Sequence, residues 1–200
     1  MDGNGTFLGV TVGVGVGLGI VIDGQIFRGE YGGAGEFGHL VIQHEGTPCY
    51  CGQRGCLEMY ASDAFVVGEA RRHIALGIAT GMKDPGSLTI EDVYSAASHG
   101  DICAQNIIYK QGQNLGIGLK NLANIFNPGV IILGGEGMGG GSHLLRGITS
   151  ELHTNFFVKK QQPVKLEVCA TGEDVWLIGT CALIVNQLYR APIFKRGNYA

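Results

Sequence analysis

The chain has 200 residues, enough for one domain with a substantial core, and carries 14 lysines and arginines against 17 aspartates and glutamates. The formal net charge of −3 and the scattered basic residues argue against nucleic-acid binding by this segment. No signal peptide pattern opens the chain, and no apolar run reaches the roughly 18 residues needed to span a bilayer. We therefore expect a cytoplasmic protein without membrane contact, with Cys103, Cys169 and Cys181 as buried thiols.

Glycine is the abnormal residue, with 35 copies that cluster in residues 13–38 and 129–141. The clusters lie beside strand-like runs, so they mark places where the backbone turns or approaches another group closely. Leu18 stands where a dinucleotide-binding fingerprint that starts at Gly13 would need glycine, which excludes that motif. Two interpretations stay open: the glycines only let two strands turn tightly, or their backbone faces phosphate.

The first part of the chain predicts strands. The dipeptide Asp23-Gly24 is a hairpin signal, and the neighbouring runs are apolar and β-branched. Antiparallel strands are expected at residues 6–12, 20–22, 25–27 and 40–42. The last of these is expected to supply the third strand of the meander.

Helical periodicity alternates with short apolar runs from residue 57 onward. Thr89 opens a capping box, and Asp101 and Ser142 are predicted N-caps. Helices are predicted at residues 57–74, 89–97, 102–126, 142–155 and 174–189, strands at 129–133 and 164–168, and a loose tail beyond 192. This order predicts an α/β fold of the ribonuclease-H-like kind, with helices around a mixed five-stranded sheet.

Residues 36–58 contain the most specific pattern of the chain. His39, Cys49, Cys51 and Cys56 follow the spacing H-x9-C-x-C-x4-C. Thiolate and imidazole ligands in a set of four favour tetrahedral Zn²⁺. A disulfide is the alternative, but Cys49 and Cys51 lie too close in sequence to pair comfortably, and three thiols leave one unpaired. Because four protein ligands leave no open coordination position, we expect a structural zinc ion and not a catalytic one.

Four segments, in order and spacing, resemble the ROK family of sugar kinases and sugar-responsive repressors: GVGVGLGIVIDGQIFRG, GGAGEFGH, CYCGQRGCLE and NPGVIILGG. The resemblance covers essentially the whole chain. It implies that residues 1–200 form the C-terminal lobe of such a protein, with the actin-like ATPase fold and a zinc knuckle inserted after the third strand. The N-terminal lobe and any DNA-binding domain would then be absent from this chain.

The resemblance also implies roles for three side chains. Glu36 would accept hydrogen bonds from sugar hydroxyls, and Glu58 would be a further sugar ligand. His39 would bind zinc through one ring nitrogen and the sugar through the other. These roles make chemical sense, because a fixed carboxylate accepts hydrogen bonds from neighbouring hydroxyls and the zinc would hold His39 in place. The alternative for both glutamates is ordinary surface charge.

The departures from the family pattern favour a repressor. The kinases use a catalytic aspartate and a first phosphate loop that this chain does not contain, so we expect no catalytic residue in it. Gly13-Val14-Gly15 stands where the kinases usually have Gly-Thr-Gly, which suggests a vestigial phosphate-facing turn. We expect a homodimer that binds a sugar or sugar phosphate effector, and contacts operator DNA only through a missing N-terminal domain. The alternatives are the lobe of an ATP-dependent sugar kinase and a zinc-stapled interaction module without a sugar.

Overall fold

The computed structural model describes residues 5–82, 84–153 and 164–169, and a five-stranded sheet organises them. The strands are β1 (Thr6–Val12), β2 (Val16–Ile22), β3 (Gln25–Ile26), β4 (Val130–Gly134) and β5 (Lys165–Val168). Their order is β3-β2-β1-β4-β5, with antiparallel pairing among β1, β2 and β3 and parallel pairing of β4 with β1 and β5. The predicted mixed α/β sheet is therefore confirmed.

Five α-helices of the described chain accompany the sheet. They are α1 (Glu58–Ala61), α2 (Asp63–Ala75), α3 (Ile90–Ser98), α4 (Ile102–Phe126) and α5 (Gly141–Leu152). Two short 3-10 helices cover Phe37–His39 and Glu136–Gly140. The apolar face of α4 is buried, with Leu115 and Leu119 fully inaccessible to solvent. These side chains join alternate residues of β1, such as Leu8 and Val10, in one hydrophobic core.

Two of the three predicted helix caps are confirmed. Thr89 and Asp92 form a reciprocal capping box at the start of α3, and Asp101 accepts a hydrogen bond from the backbone of Ala104 at the start of α4. The prediction for Ser142 is wrong, because α5 begins one residue earlier and has Gly140 at its N-cap position without a side-chain bond.

Two predicted elements differ in the structure. Residues 40–42 do not form a strand of the sheet, because their backbone is committed to the cysteine loop: Val41 bridges Cys56, and the N–H of Ile42 donates to Gly55 O. The third strand is β3 instead. The single helix predicted at residues 57–74 is divided into α1 and α2, because the backbone of Ser62 is extended.

Two further predictions fall outside the described residues: the final helix at 174–189 and the tail beyond 192. The predicted end of the helix at residue 155 lies there as well. Among the described helices, none combines the length and the apolar character that crossing a membrane requires.

Candidate metal and ligand site

The four predicted metal ligands lie together in one cluster. The ligand atoms of His39, Cys49, Cys51 and Cys56 are all within 4.8 Å of one another. Cys49 Sγ is 3.6 Å from His39 Nδ1, and Cys51 Sγ is 3.6 Å from Cys56 Sγ. A tetrahedral ion with bonds of about 2.3 Å to sulfur and about 2.0 Å to nitrogen would hold neighbouring ligands roughly 3.5–3.8 Å apart. The cluster could therefore hold a metal ion, and its cysteines are free thiols.

Backbone hydrogen bonds fold the cysteine loop without regular secondary structure. Cys49 N–H donates to Gln53 O at 2.8 Å, and Gly52 N–H donates to Cys49 O at 3.0 Å, which closes a tight turn around the second thiol, Cys51. Gly55 has a φ of +81° and packs against the Gln43 carbonyl, so neither the backbone angle nor the space suits a larger residue. This turn brings Cys56 back toward Cys51.

The thiols differ in exposure and acidity. Cys56 is fully buried, and this burial raises the pKa of its thiol to about 12. Cys51 is exposed, and a hydrogen bond from the backbone of Gln53 lowers the pKa of its thiol. Burying a thiolate at Cys56 is costly by itself, and a bound cation would offset that cost. The donor set thus suits a cation that binds soft ligands.

Glu36 and His39 are held at the start of β2 by the 3-10 helix Phe37–His39. An added Cβ at Gly38 would lie 2.6 Å from Val16 O and 3.1 Å from Glu58 Oε2, so only glycine permits this close approach. His39 N–H donates to Glu36 O at 3.1 Å. The exposed Glu36 side chain makes no capping bond to the helix, which leaves its carboxylate available to a ligand.

Glu58 lies between the metal cluster and the β1–β2 turn. Its Oε2 accepts a hydrogen bond from Val16 N–H at 3.0 Å, and a Cβ added at Gly15 would be 2.8 Å from the same oxygen. Gly38 packs against the carbonyl of Val16, and Glu58 accepts a hydrogen bond from the amide of the same residue. Val16 of β2 therefore positions both the 3-10 helix Phe37–His39 and the Glu58 side chain.

Tyr50 packs against His39 of the metal cluster. Its hydroxyl is 3.2 Å from His39 Nε2, and the two rings meet edge to face with centroids 5.1 Å apart. The pKa of its phenol is raised, first by a hydrogen bond with Glu58. Since His39 Nδ1 faces Cys49 and its Nε2 faces Tyr50, the two ring nitrogens have different partners.

The turn Gly13-Val14-Gly15 borders a cleft of about 450 Å³. Val14 lies at its tip with 87% of its surface exposed, and Gly13 N–H donates to Gly15 O within the turn. The carboxylate of Glu136 lies against Gly13, where an added Cβ would be 2.5 Å from Oε2. Glu58 is the other charged residue of the described cleft lining.

Asp63 supports this turn from the start of α2. Its backbone N–H donates to Gly13 O at 2.8 Å, and its side chain accepts a hydrogen bond from Tyr94. Burial, together with the negative charges of Glu136 and Glu91, raises the pKa of the Asp63 carboxyl despite that bond. The surroundings of the turn are therefore already rich in negative charge.

The structure brings His39 and the three cysteines together in one cluster, and it places Gly38 and Glu58 against Val16 at the start of β2. Sequence reasoning named the four clustered residues together with Glu36 and Glu58. It missed Tyr50 and Glu136. The position of Tyr50 between two cysteines of the cluster was a usable signal, whereas Glu136 could be noticed only as the single acidic residue in a glycine-rich run.

The ROK family model matches residues 2–187. A xylose repressor of Caldicellulosiruptor bescii is 29% identical over 92% of this chain and 47% of its own length. A glucokinase of Halalkalibacterium halodurans is 35% identical over 93% of this chain and 58% of its own length. The solved structure of a ROK family glucokinase from Streptomyces griseus, in complex with glucose and AMPPNP, has a TM-score of 0.78 at 29% identity. The similarity covers 91% of this chain and 61% of that one.

The chain thus spans about half the length of the curated relatives that it matches, and these relatives include both repressors and kinases. The match to the family extends over nearly all of the sequence, and the fold and the cluster of one histidine with three cysteines agree with it. The chain therefore belongs to the ROK family.

Proposed function

We propose that this chain is the sugar-effector-binding and dimerisation lobe of a ROK-type transcriptional repressor of carbohydrate metabolism genes. The proposal rests on the charge around the β1–β2 turn. A sugar kinase needs a site that stabilises the phosphates of ATP.

The observation that carries the proposal is the pair of carboxylates at the turn. Glu136 lies against Gly13, and Glu58 lies against Gly15. The described residues that line the cleft include no lysine, arginine or histidine. Negative charge at this distance repels a polyphosphate, and the effect is strongest where the protein limits solvent screening.

The turn itself also offers little to phosphate. Val14 has no hydroxyl group and points into solvent, and the amide of Gly13 is occupied by Gly15 O. Both features support a turn that no longer takes part in phosphoryl transfer. The kinase alternative, to which the glucokinase similarity lends weight, would need Mg²⁺ to bridge the carboxylates and the nucleotide.

The proposed sugar site consists of Glu36, His39 and Glu58. The two carboxylates accept hydrogen bonds from vicinal hydroxyls, and His39 Nε2 adds a donor. The proposed metal is a structural Zn²⁺ held by His39 and the three clustered cysteines. Zinc suits this donor set, and its four protein ligands leave no coordination position for substrate. Its contribution is to fix the orientation of the imidazole.

The wider arrangement follows from this proposal. The effector is a small sugar or sugar phosphate, the repressor is a homodimer, and operator DNA is contacted through a segment N-terminal to this lobe. Sugar binding would bias the orientation of that segment and so lower the affinity for the operator. A zinc-stapled interaction module without a sugar is the remaining alternative.

The test uses the intact gene product with Mg²⁺-ATP and, in turn, D-xylose, D-glucose and N-acetyl-D-glucosamine. We expect one sugar to bind without formation of a sugar phosphate, measured by mass spectrometry beside an active glucokinase as the positive control. ATP-dependent phosphorylation of any of these sugars would overturn the repressor function. Failure of all three to bind would favour the interaction module.

A further inference from the structure

Tyr50 occupies a position that the proposed function leaves unexplained. It lies between two clustered cysteines, yet 79% of its surface is exposed and its side chain turns back toward the proposed sugar site. There its hydroxyl is 3.2 Å from His39 Nε2 and interacts with the carboxylate of Glu58. These are two of the three side chains that the proposed sugar would contact.

The hydrogen-bonding pattern of this hydroxyl matches that of a sugar hydroxyl. His39 Nδ1 faces the cysteine cluster, so a metal bound there leaves the proton on Nε2. Tyr50 then accepts a hydrogen bond from His39 Nε2, and the nearby Glu58 carboxylate raises the pKa of its phenol. A sugar hydroxyl at the same position would accept the same bond from His39 Nε2 and would have the Glu58 carboxylate beside it as an acceptor.

The side chain of Tyr50 can leave this position without disturbing the metal ligands. The backbone on either side is fixed by the mutual hydrogen bonds of Cys49 with Gln53 and Gly52. The phenol ring has one close aromatic neighbour among the described residues, the edge of His39. A change of side-chain rotamer therefore breaks only surface contacts, and exposed side chains change rotamer rapidly.

We propose that Tyr50 is a competing lid of the sugar site: in the ligand-free protein its hydroxyl takes the place of a sugar hydroxyl at His39 Nε2, and an incoming sugar displaces it. The inference rests on the proposed function of this site. It adds a residue that sets the affinity and the threshold concentration of the effector without contacting the metal.

The size of the effect follows from a population argument. If Tyr50 covers the site most of the time, the apparent dissociation constant equals the intrinsic one divided by the fraction of uncovered protein. An exposed hydrogen bond of this kind shifts such an equilibrium by roughly three- to ten-fold. Tyr50→Phe keeps the ring contact with His39 but removes the hydroxyl, so it is expected to tighten sugar binding about three- to ten-fold.

The experiment measures dissociation constants for D-xylose, D-glucose and N-acetyl-D-glucosamine with the intact gene product by calorimetry, and zinc content by atomic absorption. Tyr109→Phe on α4, where the ring faces the Arg146 guanidinium at 5.9 Å, is the matched control. We expect tighter binding by Tyr50→Phe only, with unchanged zinc content in both variants.

Three results would overturn the inference. Unchanged or weaker sugar binding by Tyr50→Phe would show that the hydroxyl does not compete with the sugar. Loss of zinc from Tyr50→Phe would show that the hydroxyl instead holds His39 in position as a zinc ligand. Absence of sugar binding by all proteins, the unaltered one included, would overturn the proposed function and this inference with it.

Discussion

Gly38→Ala is predicted to move the 3-10 helix Phe37–His39 away from Val16 of β2. The added Cβ would lie 2.6 Å from Val16 O, whereas ordinary contacts of this kind begin at 3.4 Å. The backbone carbonyl cannot rotate away, because Val16 belongs to β2 and pairs with Val12. The 3-10 helix Phe37–His39 must therefore move by up to about 0.8 Å from the strand, and the added Cβ would also lie only 3.1 Å from Glu58 Oε2.

This displacement has two measurable consequences. Overpacking of this kind costs about 1–3 kcal/mol in the free energy of unfolding. Since displacements of about 1 Å in a binding constellation can cost up to 10²-fold, we expect sugar affinity to fall by at least about ten-fold. Chemical denaturation measures the first effect and calorimetric titration of the intact gene product measures the second. Zinc content should fall as well, because the displaced helix carries His39, one of the four proposed metal ligands.

Gly68→Ala provides the matched control. Gly68 lies within α2, and a Cβ added there meets no atom within 4 Å. The substitution should raise the free energy of unfolding by about 0.5–1 kcal/mol, because alanine favours the helix, and should leave sugar affinity unchanged. If Gly38→Ala retained the sugar affinity of the unaltered protein, the close packing on Val16 could not be what positions Glu36 and His39.

Further predictions concern the metal and one helix cap. Metal analysis should give about one zinc ion per chain. Cys51→Ser should lower the zinc content, whereas Cys169→Ser should leave it unchanged. A metal-free yet fully folded protein would contradict a structural role of the zinc ion. Asp101→Ala should cost about 1–3 kcal/mol in urea unfolding at pH 7, because Asp101 accepts hydrogen bonds from Ala104 and from Thr80. Desolvation raises the pKa of Asp101, but these bonds outweigh it and lower the pKa overall. The stabilisation by Asp101 is thus full above about pH 5. The difference in free energy of unfolding between the unaltered protein and Asp101→Ala should narrow as pH falls toward about 3. A difference that does not depend on pH would refute this role.

The metal cluster was predictable because its ligands come from one short segment. A spacing of one and four residues between the cysteines, with glycines in the second gap, restricts the backbone to a tight turn. The helix starts at Thr89 and Asp101 were predictable for a similar reason, since a capping side chain bonds backbone only three residues away. Constraints between residues that are close in sequence can be predicted from the sequence alone.

Contacts that depend on the tertiary fold were harder to predict from the sequence. Leu40, Val41 and Ile42 have the composition of a strand, but their backbone partners come from the cysteine loop and not from β2. The approach of Glu136 to Gly13 joins residues more than a hundred positions apart, and no periodicity indicates it. Tyr50 lies next to two of the cysteines in sequence, but its contact with His39 depends on the way in which the loop folds back.

The most direct test of the whole account is a calorimetric titration of the intact, zinc-loaded gene product with D-xylose, D-glucose and N-acetyl-D-glucosamine, in parallel with Glu36→Ala. The account predicts that one of these sugars binds the unaltered protein, and that Glu36→Ala abolishes this binding while its zinc content stays the same. Equal sugar affinity of the two proteins, or no binding by either, would contradict a sugar site at Glu36, His39 and Glu58.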